Sequence, residues 1–227
     1  MRVKGGIPRK PGKTVLAGTL LCFGDSNTFG TKPIASLGTT ERYPEDIRWP
    51  TVACAALGPG WRLVEEGLPG RTTCLDDPTA GAHLNGVPGL KIALLSHWPF
   101  DVLTIMLGTN DFKACFGATP EAVAAGAATL LKVAAHPDIT ARTGPFRTLL
   151  ICPPHVDETG ALAADFFGGA KTSRRLAPLF AELAAANGVG FLDAAEVVSP
   201  SPLDGVHFEA GAHEALGAAV AKAVARL

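Results

Sequence analysis

The sequence has no excess of charge of one sign and no long apolar run. Lysine and arginine together number 20 and aspartate and glutamate 21, which gives a formal net charge of −1. A chain with this balance has no long-range field to attract nucleic acid or an anionic membrane. No run of about 18 consecutive apolar residues occurs, so the sequence predicts no membrane-spanning helix. We therefore expect a small molecule, rather than nucleic acid or a membrane, as the partner.

Cysteines are few, and phosphate-binding motifs are missing. The five cysteines form no Cys-x-x-Cys pair and have no histidine at ligand spacing, so reduced and mostly buried thiols are predicted. They are Cys22, Cys54, Cys74, Cys115 and Cys152. The sequence also lacks a Gly-x-Gly-x-x-Gly after its first predicted strand, a P-loop and the Gly-x-Ser-x-Gly of α/β-hydrolases. We expect no metal and no cofactor, and the missing motifs argue against a nucleotide-binding protein.

The N-terminus places basic residues before a short apolar stretch, a combination that superficially resembles a signal peptide. The stretch at residues 14–23 has no small-x-small cleavage site, and it runs directly into Gly24-Asp25-Ser26. We therefore predict a strand here, preceded by a flexible extension over residues 1–16. A cytoplasmic location is expected.

Short apolar runs alternate along the chain with alanine-rich stretches. This alternation predicts a doubly wound, flavodoxin-like α/β fold, in which helices cover both faces of a central five-stranded parallel sheet. A single domain over residues 17–227 is expected. Strands are predicted at 19–23, 61–65, 102–107, 148–152 and 189–192, and helices at 47–57, 87–97, 120–135, 172–186 and 210–226. The start of one helix is marked by Thr119 before Pro120, and the end of another by Gly188 after Asn187. Loops are predicted at residues 31–46, 76–86 and 155–169.

Four polar motifs stand at the ends of predicted strands or just before the last helix. They are Gly24-Asp25-Ser26-Asn27-Thr28, Gly67-Leu68-Pro69-Gly70-Arg71, Gly108-Thr109-Asn110-Asp111 and Asp204-Gly205-Val206-His207. Because parallel strands end at a common edge, where open α/β sheets bind their ligands, we expect the four motifs to converge there.

Each motif supplies a part that acyl transfer requires. A serine hydroxyl becomes a nucleophile when a base removes its proton, and an imidazole suits that task. Asp204, three residues before His207, can orient the imidazole. Backbone N–H groups of Ser26 and Gly70 and the side-chain amide of Asn110 can stabilise the oxyanion. Structural roles stay open: Asp204 could cap the last helix, and Asn110 could bond a neighbouring loop.

In this order the motifs resemble the four sequence blocks of the SGNH (GDSL-like) serine hydrolase superfamily, and they span residues 24–207. The resemblance implies a carboxylic ester hydrolase. It also implies that Ser26 is both nucleophile and oxyanion donor, that Gly70 and Asn110 complete the oxyanion hole, and that His207 and Asp204 complete the triad.

Longer segments resemble the bacterial arylesterase/acyltransferase group typified by the mycobacterial acyltransferase. They are Leu21-Cys22-Phe23-Gly24-Asp25-Ser26, Glu65-Glu66-Gly67-Leu68, Arg71-Thr72-Thr73, Asp76-Asp77-Pro78 and Ile105-Met106-Leu107-Gly108-Thr109-Asn110-Asp111. This resemblance implies a homo-oligomer, short-acyl ester substrates, and water or an alcohol as acceptor. The sequence departs from the group at Asn27, where leucine is usual.

Side chains near the motifs have predicted roles of their own. Asn27, Phe112 and Val206 are expected to bind substrate, although Phe112 and Val206 could equally belong to the core. Lys113 either guards the mouth of the site or is a solvated surface charge. Arg71 is expected to pair with Asp76 or Asp77 rather than with a substrate anion. Asp25 and Asp111 are expected to accept hydrogen bonds from loops.

Three functions are compatible with these motifs. The first is hydrolysis or acyl transfer with short-acyl esters. A carbohydrate O-acetyl esterase, a lysophospholipase or a thioesterase would use the same triad. A non-catalytic binding module of the same fold is disfavoured, because such a module would normally have lost Ser26, Asn110 or His207.

Overall fold

A computed structural model describes residues 17–227, and its centre is a five-stranded parallel sheet in the order β2-β1-β3-β4-β5. The strands are β1 (Gly18–Gly24), β2 (Trp61–Gly67), β3 (Val102–Met106), β4 (Arg147–Cys152) and β5 (Gly190–Asp193). The predicted fold class is confirmed, and every predicted strand end lies within two residues of the observed one. The flexible extension predicted for residues 1–16 lies outside the described residues.

Helices connect and flank the strands over the described part of the chain. They are α1 (Ser26–Phe29), α2 (Trp49–Leu57), α3 (Gly86–His97), α4 (Pro120–Ala134), α5 (Pro137–Thr143), α6 (Gly169–Ser173), α7 (Leu176–Asn187) and α8 (Ala210–Val224). The predicted caps are present. Thr119 Oγ1 accepts a hydrogen bond from the backbone N–H of Ala122 at 3.2 Å, and Gly188 ends α7 with a φ of 63°.

Two helical regions differ from the prediction. The helix predicted at residues 172–186 is interrupted between α6 and α7, because Pro178 has no backbone N–H for the Arg174 carbonyl and fits only in the first turn of a new helix. The short helix α5 was not predicted. His136 caps it by accepting a hydrogen bond from the backbone N–H of Asp138 at 3.2 Å. The periodicity of apolar residues reports neither the proline that ends the first helix nor the histidine that caps α5.

The core lies on both faces of the sheet, which explains why the strands are almost continuously apolar. Successive side chains of β1 point to opposite faces. Leu21 and Phe23 pack in the layer formed with α3, α4 and α7, and Leu20 and Cys22 pack in the layer formed with α2 and α8. All five cysteines are free, and Cys22, Cys54 and Cys152 are buried, in agreement with the prediction. No helix within residues 17–227 has the length and apolar character that crossing a membrane requires.

The strand order reverses between β1 and β3, and this reversal positions the site. From β1 the chain crosses to one side to form β2, then returns to the other side to form β3. The helices that follow β1 and β3 therefore diverge and leave a crevice beyond the carboxyl ends of these strands, where doubly wound folds bind their ligands. Ser26 follows β1 and Asn110 follows β3, so both residues border this crevice.

Candidate active site

The predicted nucleophile stands on a sharp turn between β1 and α1. The Asp25 carboxylate accepts a hydrogen bond from the backbone N–H of Asn27 at 2.9 Å and so caps α1, in which Ser26 is the first residue. The first N–H groups of a helix have no partner within the helix. The described residues provide no hydrogen-bond acceptor for the backbone N–H of Ser26. That N–H can therefore donate to a bound oxyanion.

Asp204 and His207 form a buried hydrogen-bonded pair. Asp204 Oδ2 lies 2.7 Å from His207 Nδ1 and also accepts a hydrogen bond from the backbone N–H of Ile34 at 2.7 Å. Asp204 Oδ1 accepts from the backbone N–H groups of Val206 at 3.0 Å and His207 at 2.9 Å. Burial acts to raise the pKa of Asp204, but these hydrogen bonds outweigh it and lower the pKa to about 2. The carboxylate is thus ionised at neutral pH and can orient the imidazole.

Ser26 and His207 line the same cavity but are not hydrogen-bonded to each other in the described part of the chain. The hydrogen bond between a nucleophile and its base often tightens only when substrate binds. The arrangement is therefore compatible with proton transfer from Ser26 to His207. In the structure as described, His207 is hydrogen-bonded to Asp204.

Two further predicted oxyanion donors face the same cavity. Gly70 has a φ of 85° on a turn in which the backbone N–H of Arg71 donates to the Leu68 carbonyl at 3.1 Å. A Cβ atom at Gly70 would be strained at this φ and would lie 3.0 Å from Leu84. Asn110 Nδ2 donates to the Arg71 carbonyl at 3.1 Å, so the two donors are held together. The structure therefore brings Ser26, Gly70, Asn110 and His207 to one cavity, with Asp204 behind His207.

The cavity is small, at about 170 Å³. It is lined by Ser26, Thr31, Ile34, Thr40, Pro69, Gly70, Asn110, Lys113, Leu162, Asp165, Phe166, Val206 and His207. A larger cavity, of about 680 Å³, lies at the amino ends of β4 and β5 and is lined by neither a serine nor a histidine. Residues 17–227 contain no cluster of three or more His, Cys, Asp or Glu side chains able to hold a metal ion.

The predicted substrate-binding residues do not all reach this cavity. Val206 lines it, and so does Lys113, whose Nζ lies 3.9 Å from Asp77 Oδ2. Phe112 does not, because the turn after Asn110 directs it into the core. Asn27 is also buried and does not line the cavity. The sequence did not predict the lining residues that come from the loops at residues 31–46 and 155–169. Their side-chain positions depend on how those two loops fold.

Arg71 also differs from its prediction. Its guanidinium lies over the ring of Phe23, 4.1 Å from the ring centroid, and donates to the backbone carbonyls of Gly24, at 2.8 Å, and Glu66. The nearest carboxylate is that of Glu66, at 4.0 Å, rather than that of Asp76 or Asp77. Arg71 therefore braces the carboxyl ends of β1 and β2 directly beside Gly70.

Asp25 and Asp111 are buried carboxylates that accept hydrogen bonds. Asp111 accepts from a loop, as predicted, whereas Asp25 caps α1. Asp111 accepts from the backbone N–H of Thr73 at 3.0 Å and from Thr73 Oγ1 at 2.5 Å. Asp25 Oδ2 lies 3.4 Å from Asn110 Nδ2. Burial raises the pKa of each aspartate to about 6, although the hydrogen bonds act in the opposite direction.

These pKa values predict a pH-dependent stability. Because the folded state holds the protons of Asp25 and Asp111 more tightly than the unfolded state, their contribution to stability is full below about pH 3.8. It is lost as the pH rises through about 6. Burial lowers the pKa of His213 to about 4, so His213 acts in the opposite sense over the same range. The informative quantity is therefore the difference in free energy of unfolding between the wild type and the Asp111→Asn variant.

We expect the free energy of unfolding of the wild type to fall, relative to that of Asp111→Asn, as the pH rises from about 4 to about 6. Urea unfolding at several pH values measures this difference. Asp138→Asn, at an exposed aspartate, is the matched control and should follow the wild type. A difference that stays constant over this range would contradict the prediction.

Comparison with known proteins agrees with this geometry. The model of the GDSL-like lipase/acylhydrolase family matches residues 22–215. The native aryl esterase of M. smegmatis is 38% identical, with a TM-score of 0.88 over 93% of this chain and 100% of that chain. A carbohydrate acetylesterase from Sinorhizobium meliloti is 38% identical, with a TM-score of 0.86 over 92% of this chain and 99% of that chain. A search of the curated proteins found no match.

A carbohydrate acetylesterase family member, also from S. meliloti, is 35% identical, with a TM-score of 0.84 over 92% of this chain and 98% of that chain. The family model covers well over half of the chain, and the structural matches extend over nearly all of it. The chain therefore belongs to the GDSL-like lipase/acylhydrolase family, a family of ester hydrolases.

Proposed function

We propose that this protein hydrolyses short-acyl carboxylic esters through an acyl-enzyme on Ser26, with His207 as general base and Asp204 as its orienting carboxylate. The observation that carries the proposal is the buried Asp204–His207 pair, held at 2.7 Å, whose imidazole faces the same small cavity as Ser26. A nucleophile, a base and an orienting acid in this relation support acyl transfer.

In the first half of the reaction, His207 takes the proton of Ser26 as the hydroxyl oxygen attacks the ester carbonyl. The N–H groups of Ser26 and Gly70 and the amide of Asn110 stabilise the resulting oxyanion. His207 then gives its proton to the departing alcohol, and the acyl group remains on Ser26. In the second half, His207 activates an acceptor, which releases the acyl group and restores the serine. Water gives hydrolysis, and an alcohol gives acyl transfer.

The cavity favours small acyl groups. Its volume of about 170 Å³ is below the range of roughly 300–1,000 Å³ that is typical of pockets for drug-sized ligands. Ile34, Leu162 and Phe166 supply an apolar wall for a short acyl chain. This size argues against the long acyl chains of a lysophospholipase.

The carbohydrate O-acetyl esterase is the second candidate. The cavity has a polar side, formed by Thr31, Thr40, Lys113 and Asp165, which could receive the hydroxyl groups of a sugar. The 38% identity to the S. meliloti carbohydrate acetylesterase also favours this substrate class.

We also propose that the protein forms a homo-oligomer. Exposed apolar side chains support this proposal, such as those of Ile92 and Trp98, which are 66% and 53% exposed.

A panel of p-nitrophenyl esters from acetate to octanoate tests the preference for short acyl groups. We expect kcat/KM to be at least about 10-fold lower for octanoate than for acetate, because one misplaced methylene group already costs about that factor in a shaped pocket. Adding a competing alcohol measures the share of acyl transfer. Equal or higher kcat/KM for octanoate would contradict the short-acyl assignment.

Acetylated sugars in the same panel separate the two candidates. If sugars are the substrates, Lys113→Met should lower kcat/KM for acetylated sugars and leave phenyl acetate almost unchanged. Lys132→Met, at an exposed lysine of α4, is the matched control. An equal loss for both substrates would argue against a sugar subsite at Lys113.

A further inference from the structure

Asn27 stands directly after Ser26, at the position where the resembled group usually has leucine, and it is buried with 1% exposure. We infer that Asn27 is a positioning residue, whose side-chain amide ties the helix of the nucleophile to the loop that carries His207. This inference rests on the proposed function, in which Ser26 and His207 act together. It gives a role to Asn27, the residue at which this sequence departs from the usual motif.

The contact is a buried hydrogen bond between distant parts of the chain. Asn27 Nδ2 donates to the carbonyl oxygen of Val206 at 3.1 Å, across 179 residues of sequence. The main chain of Asn27 is held separately, because its backbone N–H donates to Asp25 Oδ1 at 2.9 Å. A change in the side chain therefore leaves the cap of α1 in place and removes the link to Val206.

Val206 is the point at which this link can act on the site. It lines the cavity and directly precedes His207. The peptide group that joins Val206 to His207 is held from both sides, because the backbone N–H of His207 donates to Asp204 Oδ1 at 2.9 Å and the Val206 carbonyl accepts from Asn27. A shift of Val206 would move both a wall of the cavity and the imidazole relative to Ser26.

The oxygen atom of the Asn27 side-chain amide indicates that Asn27 does not serve to stabilise the fold. Asn27 Oδ1 is buried and has no hydrogen-bond partner within residues 17–227. A buried polar atom without a partner destabilises the fold. Rotating the amide by 180° would not help, because it would place Oδ1 against the Val206 carbonyl oxygen. An apolar residue would avoid the unpaired oxygen, but it would provide no donor for Val206.

The test compares Asn27→Asp, which keeps the size of the side chain, with Asn27→Leu, which restores the usual residue. At pH 8 the aspartate variant presents a carboxylate to the Val206 carbonyl, and we expect kcat to fall by about 10- to 100-fold, as expected for a small misplacement of catalytic groups. When protonated, the same carboxyl can donate to Val206. The ratio of variant to wild-type kcat should therefore rise as the pH is lowered from 8 to 6, and it should stay constant for Asn27→Leu.

Asn187→Asp, at an exposed asparagine of α7, is the matched control and should retain wild-type kcat at every pH. Melting temperatures separate positioning from stability, and we expect Asn27→Leu to melt no lower than the wild type while its kcat is reduced. A wild-type kcat for Asn27→Asp at pH 8, or a ratio that does not change with pH, would overturn the inference.

The rate of labelling by a fluorophosphonate distinguishes this inference from the proposed function. If the wild type is not labelled at Ser26, the proposed function fails. If it is labelled there and Asn27→Asp reacts at the same rate, only the inference about Asn27 fails. We expect labelling of Ser26 in both proteins and a slower rate in Asn27→Asp at pH 8.

Discussion

Replacing Ser26 with alanine should lower kcat for p-nitrophenyl acetate by at least about 10⁴-fold, since losing the nucleophile of a serine hydrolase removes most of its catalysis. Without the Ser26 hydroxyl no acyl-enzyme can form, and His207 has no proton to take from it. The residual rate would come from Gly70 and Asn110, which can still polarise the ester carbonyl. Steady-state kinetics with p-nitrophenyl acetate measures the loss.

The Ser26→Ala variant should fold normally. Within the described residues the Ser26 hydroxyl donates to no protein acceptor, and alanine removes only one oxygen atom. Circular dichroism and the melting temperature should therefore match those of the wild type. Ser96→Ala, on the exposed surface of α3, is the matched control and should keep full activity. Undiminished turnover by Ser26→Ala would refute the assignment of the nucleophile.

Replacing Asp204 with asparagine should lower kcat by about 10⁴-fold, the loss seen when a triad aspartate becomes an amide. The amide oxygen can still accept from the backbone N–H groups of Val206 and His207. The amide nitrogen would then face His207 Nδ1 and favour the tautomer that cannot accept the proton of Ser26. A fall in kcat of less than 10-fold would contradict the role of Asp204.

Asp204→Asn should also change the pH dependence of stability. The pKa of Asp204 is about 2 in the folded state and about 3.8 without the fold, so its contribution is present above about pH 3.8 and is lost as the pH falls toward 2. The shift corresponds to about 2 kcal/mol at neutral pH. Acid unfolding followed by circular dichroism should show that this component is absent from Asp204→Asn. Asp138→Asn should retain it.

The sheet could be predicted from sequence because its strands are short apolar runs that end in glycine or a polar residue. The same reasoning placed the four motifs at one edge, since parallel strands share a direction. It did not predict the break between α6 and α7, because the prediction followed the apolar pattern across Pro178, which cannot donate to the Arg174 carbonyl. Periodicity carries information about which face of a helix is apolar, but none about which backbone hydrogen bonds can form.

Within the site, the residues that carry chemistry were easier to predict than those that shape the cavity. Ser26 and His207 belong to short motifs, whereas Thr31, Ile34 and Phe166 reach the cavity from long loops. Their positions depend on how the loops pack, as the hydrogen bond from the backbone N–H of Ile34 to Asp204 illustrates. The role of Arg71 was missed for a similar reason, because its partners are main-chain carbonyls rather than the acidic residues next to it in sequence.

The hydrogen bond between Asn27 and Val206 has a consequence for biosynthesis. It joins residues that are 179 positions apart, at the two ends of the folded region. During translation the nucleophile helix and most of the sheet emerge from the ribosome long before the segment with Asp204 and His207. A nascent chain can thus form the core layer built with α3, α4 and α7 while it still has no base to activate Ser26. Esterase activity would begin only after the loop with His207 has been made and α8 has completed the other core layer.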